Sequence, residues 1–242
     1  MKHFQSTLAA LGLSLSLSLA ASTALAAGIT NGDFASGDLT GWTKTGNVAV
    51  DKTAQFGAPP AGFANQAVLG TADTSSFLFG GSAVAAASLE SFAGLGDGAL
   101  TAMNAMVGSG LSADFTAAAG DRLTFQWKFM SNDPQGSPAD DTAYLVLDKT
   151  TVIKLTSTNS ATFMGGSASP LFDETAYLTF TSAPLAAGTH TLSLGVFDSV
   201  DTLGASALAV ANVQLAPVPE PASWLLLLGG SALLVLRRRH AA

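Results

Sequence analysis

The chain has 242 residues, of which 48% are hydrophobic and only 11% charged, enough apolar material for one sizeable core. With no cysteine it can form neither disulfides nor thiolate metal sites, and it has no cysteine nucleophile. Residues 27–216 carry six basic side chains against 16 acidic ones, so no basic patch faces a phosphate backbone and nucleic acid is not an expected partner.

Residues 1–26 read as an export signal. Lys2 and His3 give a basic start, Leu8–Leu19 an apolar centre, and Ala24-Leu25-Ala26 the small residues of a cleavage site between Ala26 and Ala27. Next comes "NGDFASGDLTGW", where Asn31-Gly32 and Ser36-Gly37-Asp38 predict turns and Phe34 and Trp42 supply core anchors. The alanine- and methionine-rich stretch from Ala83 to Val107 has helical composition. Gly94, Gly96 and Gly98 interrupt it, which predicts two short helices with a turn between them.

From Asp121 onward the pattern is that of strands. In "DRLTFQWKFM" Leu123, Phe125, Trp127 and Phe129 share one face, and Thr124, Gln126 and Lys128 share the other. "TAYLVLDKTTVIKL" predicts two strands around a tight turn at Asp148-Lys149. "AYLTFTSAPL", "GTHTLSLGVFDS" and "ALAVANVQL" follow, separated by glycine, proline, asparagine and aspartate. The expectation for 27–216 is an all-β sandwich with a short helical insert.

Acidic clusters are the candidate chemistry of this region. Asp133, Asp140 and Asp141 in "SNDPQGSPADD" gather hard oxygen ligands in one loop, a composition suited to calcium, although a solvated, Pro/Gly-rich loop between strands is the favoured reading. Asp198 and Asp201 form a second group. Paired carboxylates also serve glycoside hydrolysis, but no aromatic-lined cleft accompanies them, so no catalytic residue and no enzyme is expected. His190, between Thr189 and Thr191, reads as a strand histidine with its hydrogen bonds met. Trp42 and Trp127 lie on apolar faces and read as core. "FGGSA" and "MGGSA" lack the lysine and the spacing of a phosphate loop.

Residues 217–242 form a distinct tail. Pro219 and Pro221 lack an N–H and fix φ, so a helix can start only after them, leaving Glu220 on an extended strap. The apolar run Ala222–Leu236 would span about 22 Å as a helix, short against a hydrocarbon core of roughly 30 Å. Arg237, Arg238 and Arg239 would stop it on the cytoplasmic side. A recognition signal for a processing enzyme suits this arrangement, and an ordinary single-pass anchor with a proline linker is the alternative.

Pro219-Glu220-Pro221, a short apolar run and a terminal arginine cluster together resemble the PEP-CTERM sorting signal. That resemblance implies passage through the inner membrane of a Gram-negative bacterium, processing by an exosortase, and association with an exopolysaccharide or biofilm matrix. "NGDFASGDLTGW" resembles the opening strand of galactose-binding-like jelly rolls, which often end on a strand beginning near an Asn-Val pair, here Asn212-Val213. Residues 28–216 also resemble a domain frequent in PEP-CTERM proteins, through "SLESFAGLGDGAL", "FTAAAGDRLTFQWKFMSND", "DDTAYLVL", "ETAYLTF" and "HTLSLGVFDSVDT". That domain carries further aspartates where this chain has Ala205 and Ala211.

Two functions remain open for the jelly-roll-like body. One is a structural or adhesive component of the extracellular matrix, which predicts smooth, acidic, Thr/Ser-rich faces. The other is a carbohydrate-binding module of galactose-binding-like type, which predicts exposed aromatics around a groove. With few aromatics left after the core is filled, the sequence inclines to the first.

Overall fold

The computed structural model describes residues 28–72 and 81–217. The elements run β1 (Thr43–Thr45), β2 (Asn47–Asp51), β3 (Gln66–Gly70), β4 (Val84–Ala85), α1 (Ala86–Ala93), β5 (Ala105–Ala117), β6 (Arg122–Ser131), β7 (Thr142–Leu147), β8 (Thr151–Ser157), β9 (Asp173–Glu174), β10 (Leu178–Thr181), β11 (Gly188–Ser199) and β12 (Ser206–Ala216). They form an antiparallel β-sandwich. One sheet has the order β1-β5-β11-β7-β8, with β4 on β5; the other has the order β10-β6-β12-β3-β2, with β9 on β6.

Alternation along the strands decides what each face meets. Leu111, Ala113 and Phe115 of β5, Leu192, Leu194 and Val196 of β11, and Ala143 and Leu145 of β7 point inward from the first sheet. Leu123, Phe125, Trp127 and Phe129 of β6 meet them from the second, with Leu208 and Val210 of β12. The apolar face expected for 121–130 is therefore the core face. Trp42 and Trp127 are buried in this cluster, and Phe34 packs against Trp42 with ring centroids 5.4 Å apart. Burying one such side chain stabilises the fold by about 1.5–3 kcal/mol before entropy is set against it.

Both sheets are also covered on part of their outer faces, which the sequence pattern did not announce. Over the first sheet, Leu89 and Ala93 of α1 lie on Tyr144, Val146 and Phe197. Tyr144 can cross β11 there because Gly195 presents no side chain; a Cβ at that position would overlap the ring. Over the second sheet, Phe56 and Leu171, from two loops, close on Val68, Met130, Ala207 and Ala209. Asp51 holds the first of these loops by accepting the N–H groups of Thr53, Gln55 and Phe56 at 2.9–3.1 Å.

The expected hairpin is present. Asp148 and Lys149 both have positive φ, 55° and 57°, the geometry of a type I′ turn joining β7 to β8. Two expectations are corrected. The stretch 83–107 holds one α-helix, ended by Gly94 in the left-handed conformation, and then a single 3-10 turn at Thr101–Met103. Its last residues, Ala105–Val107, are already strand, because their partners on β11 supply hydrogen bonds that outweigh helical composition. The segment resembling an opening strand is a chain of turns. Asn31 builds it, with its Nδ2 donating to the carbonyls of Asp38 and Thr40 and its Oδ1 accepting the Ser36 N–H.

No helix among the described residues is long and apolar enough to cross a membrane. The expected signal with its Ala26/Ala27 cleavage site, and the tail with Pro219, Glu220, Pro221 and Arg237–Arg239, lie outside the described residues.

Candidate functional site

Two features of the sandwich carry polar chemistry. The first is a groove of about 400 Å³ on the outer face of the first sheet, beside α1. Because Leu111, Ala113 and Phe115 point inward, Ser112 and Asp114 of β5 must point out, and Thr191 of β11 stands next to them. Thr43 of β1, Phe92 of α1 and Lys149 of the β7–β8 turn complete the walls. Phe92 lies directly over Gly110, where an added Cβ would stand 2.9 Å from the ring. The half-buried ring thus borders a floor of hydroxyls, with an exposed carboxylate and an exposed ammonium. Thr191 Oγ1 donates to Asp114 Oδ1 at 2.6 Å, which fixes that carboxylate. Among the described residues Lys149 makes no ion pair.

The second feature lies at one end of the sandwich, where β3, β6 and β11 finish and β7 and β12 begin. The inward-facing rows, apolar along their length, turn polar there. The β6 row continues from Phe129 to Ser131 and the loop beyond it to Asp133. The β7 row is preceded by Asp141, the β11 row runs on to Asp198, and Ser206 opens the β12 row. A register shift in the β5–β11 ladder falls directly after Asp198, and such irregularities commonly mark where a strand is bent to aim a side chain.

Asp141 is held on both oxygens: Oδ1 accepts the Ser199 N–H at 2.9 Å, and Oδ2 accepts the Ser206 hydroxyl at 2.7 Å. Ser206 Oγ also lies 2.9 Å from Ser131 Oγ. By contrast Oδ1 of Asp198 and Oδ2 of Asp133 are buried and have no hydrogen-bond partner. Asp198 is 1% exposed and Asp133 9%. Burial, and then the neighbouring Asp141 carboxylate, push Asp198 up to about 9 and Asp133 up to about 7, with Asp201 adding to the latter. Burial also raises Asp141, against the hydrogen bonds from Ser199 and Ser206.

The acidic loop is therefore divided differently from the expectation. Asp140 leaves the group. It faces outward, its Oδ2 3.2 Å from Lys154 Nζ and its Oδ1 accepting the Asn159 N–H at 2.9 Å. Adjacent residues before a strand point to opposite faces, so Asp140 and Asp141 could not both join one site. Asp198, nominated in a separate segment, takes its place. The described residues hold no preformed cage of three or more His, Cys, Asp or Glu side chains.

His190 is a strand histidine with both ring nitrogens engaged, Nδ1 at 2.8 Å from Asp148 Oδ2 and Nε2 at 3.0 Å from the Ala186 carbonyl. Trp42 and Trp127 are core, although Trp127 also lines a groove of about 350 Å³ with Leu155, Met164 and Leu178. Sequence reasoning missed Phe92 because its isolated position on a short helix gives no periodic signal. It missed Lys149 as a groove residue because the tight turn aims it back over the sheet.

No protein-family model matches this chain and no curated protein resembles it in sequence. Solved structures with a comparable arrangement include the module TmCBM61 in complex with beta-1,4-galactotriose, at TM-score 0.41 and 10% identity over 78% of this chain and 97% of that one. The K3 cleaved adhesin domain of Lys-gingipain from Porphyromonas gingivalis gives 0.41 and 12% over 79% and 100%. A structure of promiscuous carbohydrate-binding modules from the β-sandwich superfamily gives 0.40 and 13% over 76% and 60%. Likenesses this distant assign neither ligand nor activity.

Proposed function

We propose that this is an exported surface or matrix protein whose sandwich binds a polysaccharide in the groove on the first sheet. The observation that carries the reading is the combination in that groove of one aromatic ring with hydroxyls, a carboxylate and an ammonium. Sugars present C–H faces and hydroxyls together. Phe92 offers the apolar contact and Lys149 donates hydrogen bonds, while Asp114 and the oxygens of Thr43 and Thr191, whose own protons go to the Ser112 carbonyl and to Asp114, accept them. The groove has one half-buried aromatic where several exposed ones are expected, and it is this ring, absent from a smooth acidic face, that favours a carbohydrate-binding module. Asp114 is the one acidic side chain among the lining residues, whereas glycoside hydrolysis uses two carboxyl groups across the bond, so binding without turnover fits the groove.

Export completes the proposal and rests on the sequence at both ends. The 1–26 segment directs the chain through the inner membrane. An exosortase-type enzyme then recognises Pro219-Glu220-Pro221 while the apolar run holds the tail in the membrane, and the sandwich is delivered to the cell surface or exopolysaccharide matrix.

Affinity electrophoresis of the full chain in gels containing the host's exopolysaccharide tests the binding half. Wild type is expected to be retarded. Phe92→Ala should weaken binding by about 1 kcal/mol, roughly fivefold, while still melting cooperatively well above the assay temperature. Wild-type mobility identical with and without polysaccharide, together with no signal on a glycan array, would leave the sandwich a structural module.

A further inference from the structure

We propose that the acidic end of the sandwich, formed by Asp133, Asp141 and Asp198, is a calcium site that ties the two sheets together. The inference is independent of the polysaccharide groove, which lies on a different face.

Three observations meet there. The residues converge from both sheets: Asp133 follows β6 of the second, while Asp141 precedes β7 and Asp198 ends β11 of the first. Two of the carboxylates have a buried oxygen with no partner, and that of Asp198 belongs to a residue 1% exposed. Finally, no side-chain cation among the described residues occupies the cluster. The ion pairs among the described residues join Lys128 to Glu174, Lys154 to Asp140 and His190 to Asp148, and none involves the three buried acids. Buried carboxyls are normally paired, hydrogen-bonded, protonated or metal-bound; protons relieve this cluster when no cation is there, and a bound divalent ion would displace them.

The donor set selects the cation. The side chains joined in the cluster offer oxygen: three carboxylates and the hydroxyls of Ser131 and Ser206, with the charge of Asp201 on the adjoining loop acting on Asp133. Neither nitrogen nor sulfur is present, which disfavours zinc and copper and suits a hard ion. The described residues hold no ready-formed group of three such ligands around one centre. Closure needs a cation that tolerates irregular, expandable coordination, which is calcium and not magnesium. Close packing also guards the place, since a Cβ at Gly204 would sit 2.5 Å from both carboxylate oxygens of Asp133.

Calorimetric melting of the full chain, stripped with chelator and then titrated with calcium alone, tests the site. Wild type should gain roughly 5–10 °C at a hundredfold excess over its dissociation constant. Asp198→Asn, which keeps the side chain's shape, should melt at one temperature with or without calcium. Asp140→Asn, outside the cluster, should keep the full gain. Asp133→Asn serves in the same way should Asp198→Asn not fold. Equal wild-type melting curves in calcium and in chelator would overturn the proposal, and so would a gain that survives in both cluster variants. Polysaccharide plays no part in the measurement, so its outcome is separate from that of the binding test.

Discussion

Lys128 and Glu174 form a 3.1 Å ion pair buried against the outer face of the second sheet, their side chains only 4% and 10% exposed. The ammonium also donates to the Phe56 carbonyl at 2.8 Å and lies 5.5 Å from the centre of the Tyr177 ring. Glu174 Oε2 additionally accepts the Ser167 hydroxyl at 2.9 Å, so the pair fastens the 163–174 loop to the sheet. Removing one partner strands the other. Glu174→Ala is expected to cost about 3 kcal/mol, because an ammonium stays buried without its counter-charge. Replacing both by apolar residues, as in Lys128→Met with Glu174→Leu, should recover much of that loss. Urea unfolding of the three variants checks the order; equal losses would show the pair to be energetically ordinary.

Lys128 also shows where the sequence was legible and where it was not. Period-two alternation correctly separated Phe125, Trp127 and Phe129 from Gln126 and Lys128, and it gave the hairpin at Asp148-Lys149. It assigns faces but not what covers them. Lys128 is on the polar face, yet it is buried by a loop whose glutamate lies 46 residues away. The acidic end was half visible for the same reason. Extending the inward rows past their last apolar residue leads from Phe129 to Ser131 and from Val196 to Asp198. Convergence of those rows requires knowing that β6 and β11 belong to opposite sheets that face each other, which is a property of the topology.

Gly195 should tolerate no side chain. Its position under the Tyr144 ring lets that ring reach Phe197, with centroids 5.7 Å apart, beneath α1. Gly195→Ala forces the ring or β11 to move, and overpacking of this kind typically costs about 1–3 kcal/mol. The expected result is a lowered melting temperature together with loosened α1, read as faster amide exchange at Leu89 and Ala93. Unchanged stability would mean that the ring has another position available.

His190 makes the fold respond to pH in a defined direction. Both its partners, the Asp148 carboxylate and the Ala186 carbonyl, only accept hydrogen bonds, so both ring nitrogens must donate, which only the imidazolium does. The Asp148 hydrogen bond raises the histidine above its ordinary value, against the opposing effect of burial. A raised value means that the folded state binds the proton more tightly. The added stability is complete below the ordinary histidine range, near about 6.5, and is lost as pH rises through the higher folded value. Asp148→Asn should therefore be less stable than wild type at about pH 5.5, with the gap narrowing by about pH 8. Denaturant midpoints at the two pH values test it, and a gap that widens with pH would refute the assignment.

Glu220 provides the test of export. Replacing it by alanine alters neither the apolar run Ala222–Leu236 nor the arginines at 237–239. Membrane insertion should therefore be unchanged, since it depends on apolar length and on the basic stop. The strap between Pro219 and Pro221 loses its one charged side chain, and with it the handle a processing enzyme could read. Glu220→Ala should accumulate in the inner membrane at full tail length, whereas wild type appears outside it in a shorter form. An anchor without processing predicts the same mass and location for both. Fractionation followed by intact-mass measurement separates the two, and wild type that retains residues 222–242 at the surface would make the tail an anchor.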